Sequence, residues 1–225
     1  MAKLKKQHMT IHWKAIVQDD SSIPATEATL KEKATLVGRI GLMMLSVGTG
    51  AWRVRNSMNK VSRCLGITCT ADIGLLAISY TCIEGTDTYT QSISLPTTGV
   101  NTHKLMELEL FMKEFPDKVS TCSVKHIHEV LDEIQKFPAN YKAWNLGLAS
   151  ALACGAFTFL LGGGPVEMCC AFLGAGVGNF VRKKMLGHSI SLLANVAVSV
   201  AASCLVYVLT ILLAQSLLSV SAVHQ

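Results

Sequence analysis

Cys122, His126 and His128 lie close together in the chain and are the side chains best suited to hold a metal. On a helix, residues four apart share a face, so Cys122 and His126 can meet while His128 points elsewhere. A catalytic zinc takes three convergent protein ligands. Only two are on offer, so these histidines read as surface residues of a helix, and no metal or other cofactor is expected. Glu84 and Asp87 bracket the turn-like EGTD, and Asp72 stands alone, so all three read as turn residues rather than an acid/base couple. No P-loop, GxSxG or HExxH pattern occurs. No catalytic residue is assigned, and the chain is not expected to be an enzyme. The remaining polar groups of interest are Glu167, Asn179 and Asn195, which stand in strongly apolar surroundings.

Those surroundings are the last third of the chain. Beyond Ala143 the only charged residues are Glu167, Arg182, Lys183 and Lys184, in a protein of 225 residues that carries 20 Lys+Arg and 15 Asp+Glu. Three apolar segments follow one another there, at about 144–161, 165–181 and 190–214. The third is long enough for a hydrocarbon core that needs about 20 residues. The second is short for a lone span and suits one leg of a helical hairpin, with Gly162, Gly163, Gly164 and Pro165 as the turn. Within lipid no hydrophobic drive pulls helices together, so seams depend on small residues that let backbones approach. Gly147, Ala151 and Gly155 recur every four residues on the first span, and Gly174 with Gly178 on the second. Short loops rich in Lys and Arg stay cytoplasmic. Arg182, Lys183 and Lys184 therefore orient the second span from outside to inside, which leaves residues 1–143 in the cytoplasm. Ionisable and amide groups at membrane depth are functional candidates: Glu167, near the outer interface, and Asn195, deeper, are substrate-binding or gating candidates, with a bond across helices the structural role open to Asn195.

The front of the chain has an ordinary soluble composition. Residues 1–25 read as a mobile tail, with no apolar stretch after Lys3, Lys5 and Lys6 to make a cleavable leader. A helix is expected over about 26–47, with Leu30, Ala34, Val37 and Leu45 on its apolar face, stopped by Gly48-Thr49-Gly50. Val54, Met58, Val61 and Leu65 define a second, ending at Gly66. Three strand patterns follow at 67–71, 75–83 and 89–95, the last two joined as a hairpin. A helix capped by Asn101 or Thr102 reaches Pro116, and another covers 123–137. The order ααβββαα, over 26–142, gives a small cytoplasmic α+β domain, followed by a transmembrane region over 143–225. Aromatics make up 6% of the chain, and no basic stripe carries them, so nucleic acid is not an expected partner. The eight cysteines form no CxxC pair and read as reduced thiols.

Two stretches resemble the threonine/serine exporter family, which includes two-component dicarboxylate exporters. They are GRIGLMMLSVGTGAWRVRNSMNKVSRCLGI (38–67) and TTGVNTHKLMELELFMKEF (97–115). The matching positions are Gly48, Arg53, Val54, Met58 and Gly66 in the first, and Gly99 and Asn101 in the second. Arg55 departs from the family, which often has an acidic residue there. The resemblance extends over roughly 30–220 and implies export of a small polar metabolite, threonine/serine or a dicarboxylate such as succinate, driven by the proton gradient across the cell membrane. It marks Arg53 and Asn101 as substrate-binding or gating positions. Family members usually continue through two further spans, so a truncated chain, a split one or a divergent member is implied, working as a homo-oligomer or with a second membrane subunit. A membrane-anchored sensor, whose cytoplasmic domain binds a ligand or protein, is the alternative.

Overall fold

The computed structural model describes residues 11–18, 23–95, 98–137, 141–185 and 191–223. The chain divides into two units, Met1–Asn140 and Tyr141–Gln225.

The first unit is organised around one helix, α1 (Leu30–Ser46). It starts at a capping box: Glu32 N–H donates to Thr29 Oγ1, and the Glu32 carboxylate accepts from Thr29 N–H at 3.0 Å. This reciprocal satisfaction of end groups fixes the start at Leu30 rather than at Thr26, and residues 25–27 form a separate 3-10 turn. Every residue from 32 to 45 is buried. A helix covered on all sides is a core element, and α2 (Ala51–Cys64), β2 (Ala77–Glu84), β3 (Asp87–Ser94) and α4 (Val124–Lys136) all pack on it. With β1 (Thr68–Ile73), the strands make an antiparallel sheet in the order β1-β2-β3. Ile78, Tyr80 and Cys82 are its buried face on β2. The other face is lined with hydroxyls, and Ser79 pairs with Ser92 and Thr81 with Thr90.

Close approach explains two glycines of α1. A Cβ on Gly38 would lie 2.1 Å from the Tyr80 hydroxyl oxygen, and one on Gly41 would lie 2.6 Å from Met58 Sδ. Gly66, just past α2, has φ +73°, the left-handed conformation that ends a helix.

The helix α3 (Thr102–Lys118) does not stop at Pro116 as its sequence suggests. Proline has no N–H for the carbonyl four residues back. That carbonyl, of Met112, accepts instead from Lys60 Nζ of α2 at 2.8 Å. A neighbouring helix thus supplies the missing donor.

The stretch 11–18, read from sequence as part of a tail, contains a 3-10 turn (Trp13–Ala15) whose Trp13 is buried. Gln18 N–H donates to Glu32 Oε1 at 2.7 Å.

The second unit comprises α5 (Ala143–Leu160), α6 (Pro165–Met185) and α7 (Leu192–Val223). Two of its helices, over Ala143–Leu160 and Leu192–Ser216, are long and apolar enough to cross a membrane. The sequence-based expectation of three such spans is met for two. The middle helix carries Glu167 in its first turn and Arg182, Lys183 and Lys184 in its last. Polarity is inverted relative to the first unit. Leu148, Leu152, Phe157, Phe159, Leu205 and Leu209 are exposed. The buried residues of α5 are Gly147, Ala151 and Gly155, and those of α6 are Cys170, Gly174 and Gly178.

Gly38→Ala is expected to destabilise the first unit by about 1–3 kcal/mol through forced displacement of Tyr80, despite alanine's better helix propensity. Gly99→Ala, where a Cβ meets nothing within 4 Å, serves as the neutral control. Urea unfolding followed by far-UV circular dichroism measures both.

Candidate functional site

The two family-like stretches meet at one junction. The last carbonyls of a helix lack intrahelical donors, and in α1 the segment after β3 supplies them. Thr98 Oγ1 donates to the Leu45 carbonyl at 2.8 Å, Gly99 N–H to Ser46 at 3.3 Å, and Asn101 N–H to Val47 at 3.3 Å. Gly48 has φ +80°, and a Cβ there would lie 3.2 Å from the Val100 backbone. Asn101 Oδ1 accepts from Lys104 N–H at 3.1 Å and caps α3. Arg53, at the start of α2, pairs with Glu109 of α3. Val54 and Met58 are buried beneath. Both residues singled out by the resemblance, Arg53 and Asn101, therefore hold helices together here.

A second cluster was not legible as one. Arg39 of α1 is buried, and so is its guanidinium's partner His128 of α4. Arg39 Nη1 donates to the His128 carbonyl at 2.9 Å and lies 3.1 Å from His128 Nδ1. Arg39 Nη2 donates to Asp132 Oδ1 and, at 3.2 Å, to Gln135 Oε1. Trp13 stacks on the His128 ring at 4.8 Å between centroids and 8° between planes. The Arg39 guanidinium lies 5.6 Å from the Trp13 ring centre, and Trp13 Nε1 is 3.4 Å from Asp132 Oδ1. An arginine can only donate, so His128 Nδ1 accepts, and the ring is neutral with its proton on Nε2. That Nε2–H is buried with no partner among the described residues. Burial first, and the Arg39 charge second, push the His128 pKa down to about 3.

The expectation that the histidines near Cys122 are surface residues is thus corrected for His128, which is fully buried. The signal was present: Val124, Ile127, His128, Leu131 and Ile134 form one helical stripe, and all are buried. Among the described residues no group of three or more His, Cys, Asp or Glu side chains is placed to hold a metal.

In the second unit the small-residue stripes form two different seams. A Cβ on Gly147 would lie 3.3 Å from the Gly176 carbonyl oxygen of α6, and one on Gly155 would lie 3.6 Å from that of Met168. Across the other face of α6, a Cβ on Gly174 would lie 2.9 Å from the Ser203 carbonyl oxygen. One on Gly178 would lie 2.8 Å from Ser203 Cβ and 3.0 Å from the Ser199 carbonyl oxygen. Amides fasten both seams. Asn179 Nδ2 donates to the Leu146 carbonyl of α5 at 3.2 Å. Asn195 Nδ2, buried on α7, donates to the Arg182 carbonyl at 3.3 Å. Arg182 stands in the last turn of α6, where carbonyls lack helical donors. Glu167 is exposed and folds over the glycine turn, its Oε2 lying 2.8 Å from where a Gly164 Cβ would stand.

The family model ThrE, described as threonine/serine exporter, matches residues 35–224. No curated protein and no solved structure matches the chain.

Two outcomes are expected. The unfolded imidazole protonates near 6.5 and the folded His128 near 3, so the stability it contributes is complete above 6.5 and declines as pH falls toward 3. His128→Gln should flatten the fall in denaturation midpoint between these limits relative to the parent chain. In the second unit, Gly178→Leu should force α6 from α7 and cost about 1–3 kcal/mol or more. The exposed Val177→Leu should stay within about 0.5 kcal/mol. Thermal unfolding of the chain in detergent micelles distinguishes them.

Proposed function

The chain belongs to the threonine/serine exporter family, and we propose that it is a membrane subunit of a secondary exporter that moves threonine, serine or a small dicarboxylate out of the cell. The observation that carries this reading is the pairing of the family match over 35–224 with a helical unit of inverted polarity. Exposed leucines and phenylalanines favour lipid, whereas the glycine, serine and asparagine contacts lie between helices. In water such an arrangement would leave its largest side chains unburied.

All of α5, α6 and α7 cross the bilayer in this reading. The cations of α6 hold its C-terminal end on the cytoplasmic side, which puts the first unit in the cytoplasm and the glycine turn outside. The middle helix is short for a lone span, and packing against a neighbour on each side makes it tenable. Energy comes from the proton gradient, as the family resemblance implies, and the sequence, in which no P-loop pattern occurs, is compatible with that. Three helices are few for a substrate path, so a second membrane subunit, or further copies of the chain, completes it.

Cells loaded with labelled threonine, serine and succinate test this directly. Efflux of at least one label should fall when the protein is deleted and should also fall when an uncoupler is added. Efflux of all three unchanged by deletion removes the exporter reading. A Lys183→Cys variant should gain labelling by a membrane-impermeant maleimide, over that of the parent chain with its eight cysteines, only after the inner face is opened.

A further inference from the structure

The strongest unexplained feature of the first unit is the buried polar cluster under Trp13. We propose that Arg39 and Asp132 are a receptor for the two charged ends of a free α-amino acid, and that Trp13 is its cover. This rests on the reading of the chain as an exporter of small polar metabolites and narrows it to zwitterions.

Charge complementarity sets the ligand class. An α-amino acid carries a carboxylate and an ammonium group on the same carbon. Arg39 offers donors for the first, with a fork geometry suited to carboxylates. Asp132 offers acceptors for the second, and Gln135 Oε1 lies beside it, within 3.2 Å of the same guanidinium. In the present structure the two charges satisfy one another. A zwitterion entering between them leaves every charge paired. A dicarboxylate does not, because its second carboxylate would face Asp132.

Access and energetics agree. The Arg39 side chain is 6% exposed but that of Asp132 is 32% exposed, so the pair opens to water on the Asp132 side. A buried ion pair is often no better than well-packed apolar residues of the same volume, and this one has beside it a buried imidazole N–H without an acceptor among the described residues.

The placement of Trp13 is that of a competitor. Its Nε1–H approaches Asp132 Oδ1, the oxygen that Arg39 also uses, at 3.4 Å, a long and weak hydrogen bond. An ammonium group binding Asp132 displaces it. The indole also faces the His128 ring, the Arg39 guanidinium and the Lys14 ammonium, the last 5.4 Å from its centre, so it sits against a polar cradle.

The test uses the full chain in detergent micelles with Trp52→Phe and Trp144→Phe, both exposed positions, leaving Trp13 as the remaining one of three tryptophans. Adding L-threonine or L-serine should shift its emission to longer wavelength and raise acrylamide quenching saturably, whereas succinate should do neither. Calorimetric titration should give roughly threefold or greater tightening for Trp13→Ala, because a closed cover lowers apparent affinity by the fraction of time it is open. Asp132→Asn should weaken amino-acid binding by at least about tenfold, a loss in keeping with a broken charge-assisted contact. Binding unaffected by Asp132→Asn, a Trp13 signal indifferent to amino acids, or equal responses to succinate overturns the site. Amino-acid efflux that persists in the Asp132→Asn variant overturns it too while leaving the exporter reading intact. Absence of efflux from the parent chain removes that reading instead.

Discussion

Helices in the second unit meet through their backbones. At Gly147, Gly155, Gly174 and Gly178 a single added carbon would stand within 3.6 Å of a carbonyl oxygen or side-chain carbon on the neighbouring helix. Such contact is of little use in water, where leucine pairs bury more apolar surface and glycine costs roughly 1 kcal/mol of helix stability against alanine. In hydrocarbon the comparison reverses, because leucine gains nothing by leaving lipid and backbone proximity is what remains. The stretch PVEMCCAFLGAGVGNFVRKKM, a poor helix by aqueous standards, forms the continuous α6 from Pro165 to Met185. As the middle helix it needs two smooth faces, one toward α5 at Gly176 and one toward α7 at Gly174 and Gly178. Asn179 and Asn195 then add directional bonds to main-chain carbonyls, one on each seam.

The first unit obeys the same rule with the solvent exchanged. Its central helix, α1, is surrounded by protein, so each charge on it needs a specific partner. Glu32 commits its carboxylate to the Thr29 cap and to Gln18 N–H. Lys33 reaches Glu84 at the end of β2 at 2.6 Å. Arg39 takes Asp132, Gln135 and the His128 carbonyl. These bonds join α1 to the N-terminal segment, the sheet and α4 respectively. The charges that look out of place on a core helix are the ones that determine what surrounds it.

Much of this was legible locally. Val54, Met58, Val61 and Leu65 at helical spacing, followed by Gly66, gave α2 and its end to within a few residues. The strand pattern at 75–83 located β2, which runs from Ala77 to Glu84. The small-residue stripes were visible by spacing alone. What escaped depends on partners distant in the chain. Pro116 looks like a terminator until Lys60 is known to serve the Met112 carbonyl, and those residues are 52 positions apart. Trp13 looks like part of a tail until His128 and Asp132 are placed beneath it. For His128 the stripe of Val124, Ile127 and Leu131 did carry the information, but histidine on such a stripe reads as polar surface unless its neighbour Arg39 is known.

The family-like residues teach a different point. Gly48, Gly99 and Asn101 converge where α1 ends, and Arg53 ties α2 to α3 through Glu109. Each has a structural role there, whether as a positive φ, a backbone donor to an orphan carbonyl, a helix cap or an ion pair. Resemblance in these stretches therefore follows the way the first unit closes on itself, and residues that fix a closure need not touch a ligand. In the proposal above, the groups that handle a polar solute are instead Arg39 and Asp132, which join α1 to α4 beneath the Trp13 indole. A motif can thus identify the family while the chemistry resides in residues whose relation appears only when α1 and α4 are brought together.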